Sequence, residues 1–128
     1  MKACLFTITT ITDGQKTSII REGEMEILND AVTLAYFEEN AKVKMTLRDK
    51  KATIERMGDY SLSLQFICGE VSSGAIGVSG ASGAIETFAH KIKYSCKGAS
   101  LLLTMQYDLL ISGETQKMNL RLLAKYKD

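Results

Sequence analysis

The chain has 128 residues, the size of one ordinary domain, and 45% of them are hydrophobic. This hydrophobic content is sufficient for a folded core and argues against intrinsic disorder. The formal net charge is +1, from 16 basic and 15 acidic residues. A net charge this small gives no overall field that would attract nucleic acid or an anionic membrane. We therefore expect one domain over residues 1–128, with no nucleic acid and no membrane among its partners.

Three cysteines, Cys4, Cys68 and Cys96, form no C-x-x-C pair, and their odd number does not suit a disulfide framework. Each lies in a strand-like run, where a free cysteine acts as a small apolar residue. Reduced thiols of this kind predict a cytoplasmic location. The first eleven residues are interpreted as a strand and not as a signal peptide, because threonines interrupt their apolar run.

Apolar and polar residues alternate with a period of two along most of the chain. Side chains of a strand point to opposite faces in turn, so each run has one buried and one solvated face. No window has the i, i+3, i+4, i+7 pattern of a helix. Turn-forming pairs separate the runs at Asp13-Gly14, Asn29-Asp30, Asp49-Lys50, Gly58-Asp59 and Ser112-Gly113. The pattern predicts strands near 3–12, 16–28, 31–37, 42–48, 51–57, 60–68, 72–78, 84–94, 99–112 and 114–126.

Consecutive hairpins of this kind predict an antiparallel meander, which can fold over as a sandwich or close as a barrel. The long strand 99–112 favours a coiled, closing sheet, and Gly23 suits a sharp bend at a barrel corner. Closure also removes exposed sheet edges. We therefore predict the all-β class, with a small antiparallel meander barrel of about eight to ten strands.

A glycine-rich segment at 69–83 departs from the alternation, with glycines at every third position from 74 to 83. Four triplets without proline are too few for a collagen helix, and no lysine follows as in a phosphate-binding loop. The segment is interpreted as a weak strand followed by a flexible hairpin.

Several short segments occur in a recognisable order over nearly the whole chain. They include Ile54-Glu55-Arg56-Met57-Gly58, Gly83-Ala84-Ile85-Glu86 and Leu103-Thr104-Met105-Gln106-Tyr107-Asp108-Leu109. Their order and spacing resemble the DUF1934 family, also called YwiB-like, although the aromatic pair and the proline-containing turn expected before residue 84 are absent. The resemblance implies a bacterial protein of about this length with a β-barrel of the calycin or lipocalin type. Calycins as a group often hold small apolar ligands.

Arg56 is a charged residue on the predicted inner face of its strand, since it has the parity of Ala52 and Ile54. An unpaired charge inside a barrel is very costly. Two alternatives stay open. Either the strand ends at Glu55 and Arg56 extends to the barrel mouth, or Arg56 points into the lumen.

A lumen-facing Arg56 would have one of two partners. With Tyr60, which opens the next strand, it could bind an amphipathic ligand with an anionic head, because arginine forms bidentate bonds to carboxylate or phosphate. Alternatively it could form an internal ion pair with a carboxylate such as Glu86 or Asp108. The predicted ligand-binding set in the lumen is Arg56, Tyr60, Phe66, His90 and Tyr107.

His90 is the only histidine, and the parity on either side of it disagrees about which face is buried. A β-bulge near His90 would reconcile the two halves of its strand and could turn its ring inward. The sequence contains no metal-ligand spacing and no nucleophile motif. We therefore expect no catalytic residue, no metal and no cofactor.

Two functions fit these features better than catalysis does. The first is a binding module that holds a small apolar or amphipathic ligand, since a barrel of about eight strands has room for one. The alternative is a protein-interaction or assembly domain with a filled, ligand-free barrel. The partner is then a small molecule in the first case and a protein in the second, and the volume inside the barrel separates them.

Overall fold

The computed structural model describes residues 1–127, and ten β-strands lie where the alternation predicts them. Their bounds are β1 (Lys2–Thr12), β2 (Gln15–Leu28), β3 (Ala31–Glu38), β4 (Ala41–Arg48), β5 (Lys51–Gly58), β6 (Tyr60–Ile67), β7 (Val71–Val78), β8 (Ala81–Lys97), β9 (Ser100–Ile111) and β10 (Glu114–Tyr126). This part of the chain contains no helix, and so none that is long and apolar enough to cross a membrane.

Two-residue turns with positive φ join many of the strands. Both turn residues have positive φ at Asp13-Gly14, Asn29-Asp30, Asp49-Lys50, Ser79-Gly80 and Ser112-Gly113. This conformation is that of the type I′ hairpin turn, whose twist matches the twist of the flanking strands. Asp, Asn and Gly tolerate it best, which is why these pairs end one strand and begin the next.

Each strand pairs antiparallel with its sequence neighbours, and β1 pairs with β10 to close the barrel. The closing ladder extends from Cys4 opposite Tyr126 to Thr12 opposite Met118. In this meander the β3–β4 and β5–β6 turns lie at the same end, which we call the mouth, and the β2–β3 and β4–β5 turns lie at the other end, the base. The predicted all-β antiparallel barrel is confirmed.

Alternate side chains of every strand fill the inside of the barrel. The largest side chains without solvent contact are Phe6, Phe66, Met25, Leu34, Leu47, Leu101, Leu103, Met105 and Leu122. Leu64, Tyr107 and Leu120 are buried among them, whereas Leu62 is half-buried and packs against this cluster. The inner faces of the strands are therefore those that the alternation predicts.

Several glycines permit close approaches between strands that any larger residue would prevent, Gly23 and Gly74 among them. A Cβ atom on Gly23 would overlap the carbonyl oxygen of Ala35. Gly23 lies at one end of the β2–β3 ladder, opposite Tyr36. A Cβ atom on Gly74 would overlap the carbonyl oxygen of Ser63. Gly23 thus lies at a close approach of β2 and β3, and the glycine-rich segment forms β7 and the start of β8.

The long strand β8 changes neighbours along its length. It pairs with β7 from residue 81 to residue 88, and with β9 from residue 86 to residue 97. A register shift between Ala89 and Lys91 places a β-bulge at His90, where the conflicting parities predict one. Among the described residues, 91–97 therefore have a strand neighbour on one side only.

Candidate functional site at the barrel mouth

Arg56 lies on the inner face of β5, opposite Val43 of β4 and Leu62 of β6. Only 8% of its surface is exposed. The strand does not end at Glu55, since β5 continues to Gly58. The structure therefore combines parts of the two alternatives: Arg56 lies on the inner face of a strand that continues, and its guanidinium group extends to the mouth.

The guanidinium group of Arg56 contacts three polar groups at the mouth. Its Nε donates to Glu38 Oε2 at 3.2 Å and its Nη1 donates to the Tyr60 carbonyl oxygen at 2.8 Å. Its Nη2 lies 2.8 Å from Asp59 Oδ1. Arg56 thus forms an ion pair, which was one of its two alternatives, but with Glu38 and Asp59 and not with Glu86 or Asp108, the carboxylates suggested from the sequence.

The positions of the turns explain why Arg56 pairs with Glu38 and Asp59. Glu38 ends β3 and Asp59 lies in the β5–β6 turn, and both turns are at the mouth. Glu86 is exposed on the outer face, and Asp108 is bonded to His90. The charge on Arg56 also holds the pKa of the Asp59 carboxyl below its ordinary value, chiefly through their hydrogen bond.

Tyr60 lies beside Arg56, as the short turn between their strands predicts. The guanidinium carbon is 3.7 Å from the centroid of the Tyr60 ring, which is a close cation–π contact. Tyr60 is half-buried, and its ring and carbonyl oxygen both contact the same side chain. The two residues therefore close this side of the mouth together.

Phe66 and Tyr107 point into the barrel as predicted, and they contact each other. Their ring centroids are 4.6 Å apart in an edge-to-face arrangement. A second aromatic pair, Phe6 and Tyr36, has its centroids 5.8 Å apart. Burial raises the pKa of Tyr36 and of Tyr107 to about 12, so both phenols are neutral at physiological pH. These rings occupy the space that a lumen ligand would need.

His90 does not belong to the lumen, and its predicted place in the ligand-binding set is wrong in this respect. Half of its side chain is exposed, and its Nε2 lies 2.9 Å from Asp108 Oδ2. Its ring contacts Phe88 edge-to-face at 4.9 Å. The bulge leaves His90 on the outer face with Phe88, because the inward positions around it belong to Ala89 and Ile92.

Surface clefts of about 240–400 Å³ lie near the mouth and on the outer faces. One is lined by Glu55, Met57, Ser61 and Ser63, beside Arg56. Another lies between Tyr60 and the β7–β8 turn. Both are open to solvent, and neither reaches the aromatic pairs of the core. Among residues 1–127 no group of three or more His, Cys, Asp or Glu is placed to hold a metal ion.

Three residues of the mouth and core, Glu38, Asp59 and Tyr36, were not predicted from the sequence. A signal for Glu38 exists, since it shares the parity of the buried Val32 and Leu34 in β3. Asp59 follows Arg56 by three residues across a tight turn, which also brings the two side chains together. Glu38 and Asp59 both pair with Arg56, so the mouth holds an ion-pair network.

Comparison with known proteins agrees with this fold. The crystal structure of ywiB protein from Bacillus subtilis is similar with a TM-score of 0.86, over 99% of this chain and 93% of that one. The two sequences are 15% identical, so the likeness concerns the fold alone. No curated protein matches the chain. A family model described as a domain of unknown function, DUF1934, matches residues 5–122, and the chain therefore belongs to the DUF1934 family.

Proposed function

We propose that this protein is a protein-interaction module without catalytic activity. In this proposal the closed barrel is a rigid, filled scaffold, and the outer faces of its strands bind a partner protein. The observation that carries the proposal is the filled interior, where Phe6, Phe66 and Leu34 have no solvent contact. A barrel without an internal cavity has only its surface and its ends to offer a partner.

The other function, binding of an amphipathic ligand in the lumen, has less support. Arg56 would have to bind the anionic head, but its three guanidinium nitrogens contact Glu38, Asp59 and the Tyr60 carbonyl oxygen. Two carboxylates beside the guanidinium would also repel an anion. The apolar part of such a ligand would have to displace the Phe66–Tyr107 pair.

Exposed apolar side chains on the outer face support a partner protein. Phe37 and Met57 are 62% and 73% exposed, and Lys42 stands between them in the same row across β3, β4 and β5.

We place the module in the cytoplasm, because Cys4, Cys68 and Cys96 are free thiols in the structure and such thiols persist in reducing compartments.

Native mass spectrometry of protein purified gently from cells tests the filled barrel. We expect the mass of the chain alone, with no small molecule that is released only on unfolding. Lysine-directed crosslinking in cell lysate should, in parallel, join outer-face lysines to another protein. A stoichiometric small molecule together with no protein crosslink would overturn the proposal in favour of the ligand-binding function.

A further inference from the structure

The lower half of β8 has a free strand edge. Residues 91–97 pair with β9 on one side, and no described strand pairs with them on the other side. The backbone N–H and C=O groups along such an edge are available for pairing with another extended chain. A closed barrel with a free edge segment is therefore able to add a strand without opening.

The free edge has a defined beginning. The last backbone contacts on that side are made to Ala89, whose carbonyl oxygen accepts from Gly69 N–H at 2.8 Å and which forms a bridge with Cys68. The bulge at His90 follows at once. The connection between β6 and β7 therefore covers β8 up to the bulge, and the edge is free from there to the β8–β9 turn.

The outer face beside this edge is basic. Lys91, Lys93 and Lys97 are exposed on the outer face of β8 and border the free edge, whereas three further basic residues are exposed on β10, two strands away on the opposite side of β8. We call these six residues the basic face: Lys91, Lys93, Lys97, Lys117, Arg121 and Lys125. Asp108 is the carboxylate among them, and it is bonded to His90.

The six residues of the basic face have no carboxylate partner within ion-pair distance among the described residues. Apart from these six residues and Asp108, residues 1–127 carry ten basic and thirteen acidic side chains. A chain with a net charge of +1 thus has its surplus positive charge on one side. Charge complementarity selects an anionic partner for that side.

We propose that the free edge of β8 accepts an extended acidic segment of a partner protein as an additional strand. The inference rests on the proposed interaction function and names its surface. Alternate residues of a strand are about 7 Å apart, so carboxylates at every second position of the added strand meet Lys91 and Lys93. The main chain of the segment supplies the hydrogen bonds of the ladder, as in other cases of strand addition.

Lysines beside a sheet edge have two further roles in proteins, and each role has its own structural requirement. In the first, lysines discourage association with apolar or basic strands, but they leave acidic strands admissible. In the second, the lysines bind the phosphates of a nucleic acid, and the backbone of the strand edge takes no part. The outer positions of 91–97, 100–108 and 117–125 carry no aromatic side chain on which bases could stack, since Tyr94 and Tyr107 belong to the inner parity.

The test uses the full chain and a short peptide in which Glu alternates with Thr. Peptide binding should slow amide hydrogen exchange in residues 91–97 and nowhere else to a similar extent. The double variant Lys91→Glu/Lys93→Glu should weaken binding about tenfold, because it turns two attractive charge pairs into repulsive ones. The control Lys44→Glu/Lys51→Glu also reverses two exposed lysines, on the outer faces of β4 and β5, which have strand neighbours on both sides, and should leave binding unchanged.

A second probe separates strand addition from charge attraction alone. The same peptide is methylated on alternate backbone nitrogens in each of the two possible registers, and one register should abolish binding while the other retains it. Equal binding by both methylated peptides, or equal loss in both lysine variants, overturns the proposal. So does a single-stranded oligonucleotide that binds the basic face more tightly than the peptide. If the crosslinked partner protein contacts other outer strands instead, the interaction function stands and this surface falls.

Discussion

A charged side chain inside a barrel must replace the hydration that it loses. Arg56 does so with groups supplied by its own turn and by the neighbouring one: a carboxylate from Glu38, a carboxylate and a carbonyl oxygen from residues 59 and 60, and the face of the Tyr60 ring. These contacts hold the β3–β4 and β5–β6 turns against each other. Arg56 is thus a clamp of the mouth, and its variants report on stability.

Arg56→Met should lower the thermal midpoint by about 5 °C, because two carboxylates lose their partner while the aliphatic volume is kept. The matched control is Arg48→Met, which removes an ion pair with Asp49 whose arginine side chain is 71% exposed. That change should shift the midpoint by no more than about 1 °C, since exposed pairs contribute little. Equal shifts in calorimetry would contradict the buried clamp.

Tyr36 and Tyr107 make stability depend on alkaline pH. Their pKa values are raised from 10.0 to about 12 in the folded chain, so the folded state holds protons that the unfolded state releases. Their contribution is complete below pH 10 and is lost as pH rises towards 12, by about 2 kcal/mol for each tyrosine. Urea unfolding at increasing pH should show this loss in the wild type and a smaller one in Tyr36→Phe/Tyr107→Phe. The same pH dependence in both proteins would refute it.

Parity predicted the bulge at His90 and gave Arg56 the parity of the inner face, but it left open whether Arg56 points into the lumen or extends to the mouth. It was not sufficient to choose Glu38 and Asp59 over Glu86 and Asp108, because that choice depends on which turns meet at one end of a closed sheet. The direction of His90 was missed for a related reason. A bulge adds one residue, and the residues that remain buried on each side, Ala89 and Ile92, decide on which face the extra one lies.

At the scale of elements, strands and turns were predictable because each is encoded locally. Alternation marks a strand, and a pair such as Asp13-Gly14 marks the reversal. The strand of the glycine-rich hairpin was predicted at 72–78, close to β7 (Val71–Val78), but the reason for its glycines was not predictable from the local sequence. Gly74 is required by the backbone of β6, a constraint that lies in another part of the chain.

Two glycines of this hairpin should therefore respond differently to substitution. Gly74→Ala should cost about 1–3 kcal/mol, since its Cβ would overlap the Ser63 carbonyl oxygen. Gly83→Ala should change stability by less than about 1 kcal/mol, because the nearest atom, Ile76 Cγ2, is 3.7 Å from the new Cβ. Denaturant midpoints measure both. A Gly74→Ala variant as stable as Gly83→Ala would show that β6 and β7 separate easily.

At the scale of the whole molecule, the barrel was the expected outcome of a meander with long final strands, and the ladder between β1 and β10 confirms closure. Whether the barrel is hollow or filled was not readable from the alternation, because the same inward residues can line a cavity or occupy it. The separation of charge was hidden as well. The lysines of β8 and the basic residues of β10 belong to different strands. They lie on one side of the barrel only because β9 pairs with both strands.

The ladder between the first and last strands has a consequence for how the chain folds. Nine of the ten strand interfaces join sequence neighbours and form by local hairpin zipping, which involves short loop closures. The tenth, in which Cys4 faces Tyr126, joins two strands that are separated by nearly the whole length of the chain. Its entropy of closure is the largest of the ten, so it forms last. During synthesis β1 must therefore wait, with one edge unpaired, until β10 has been made.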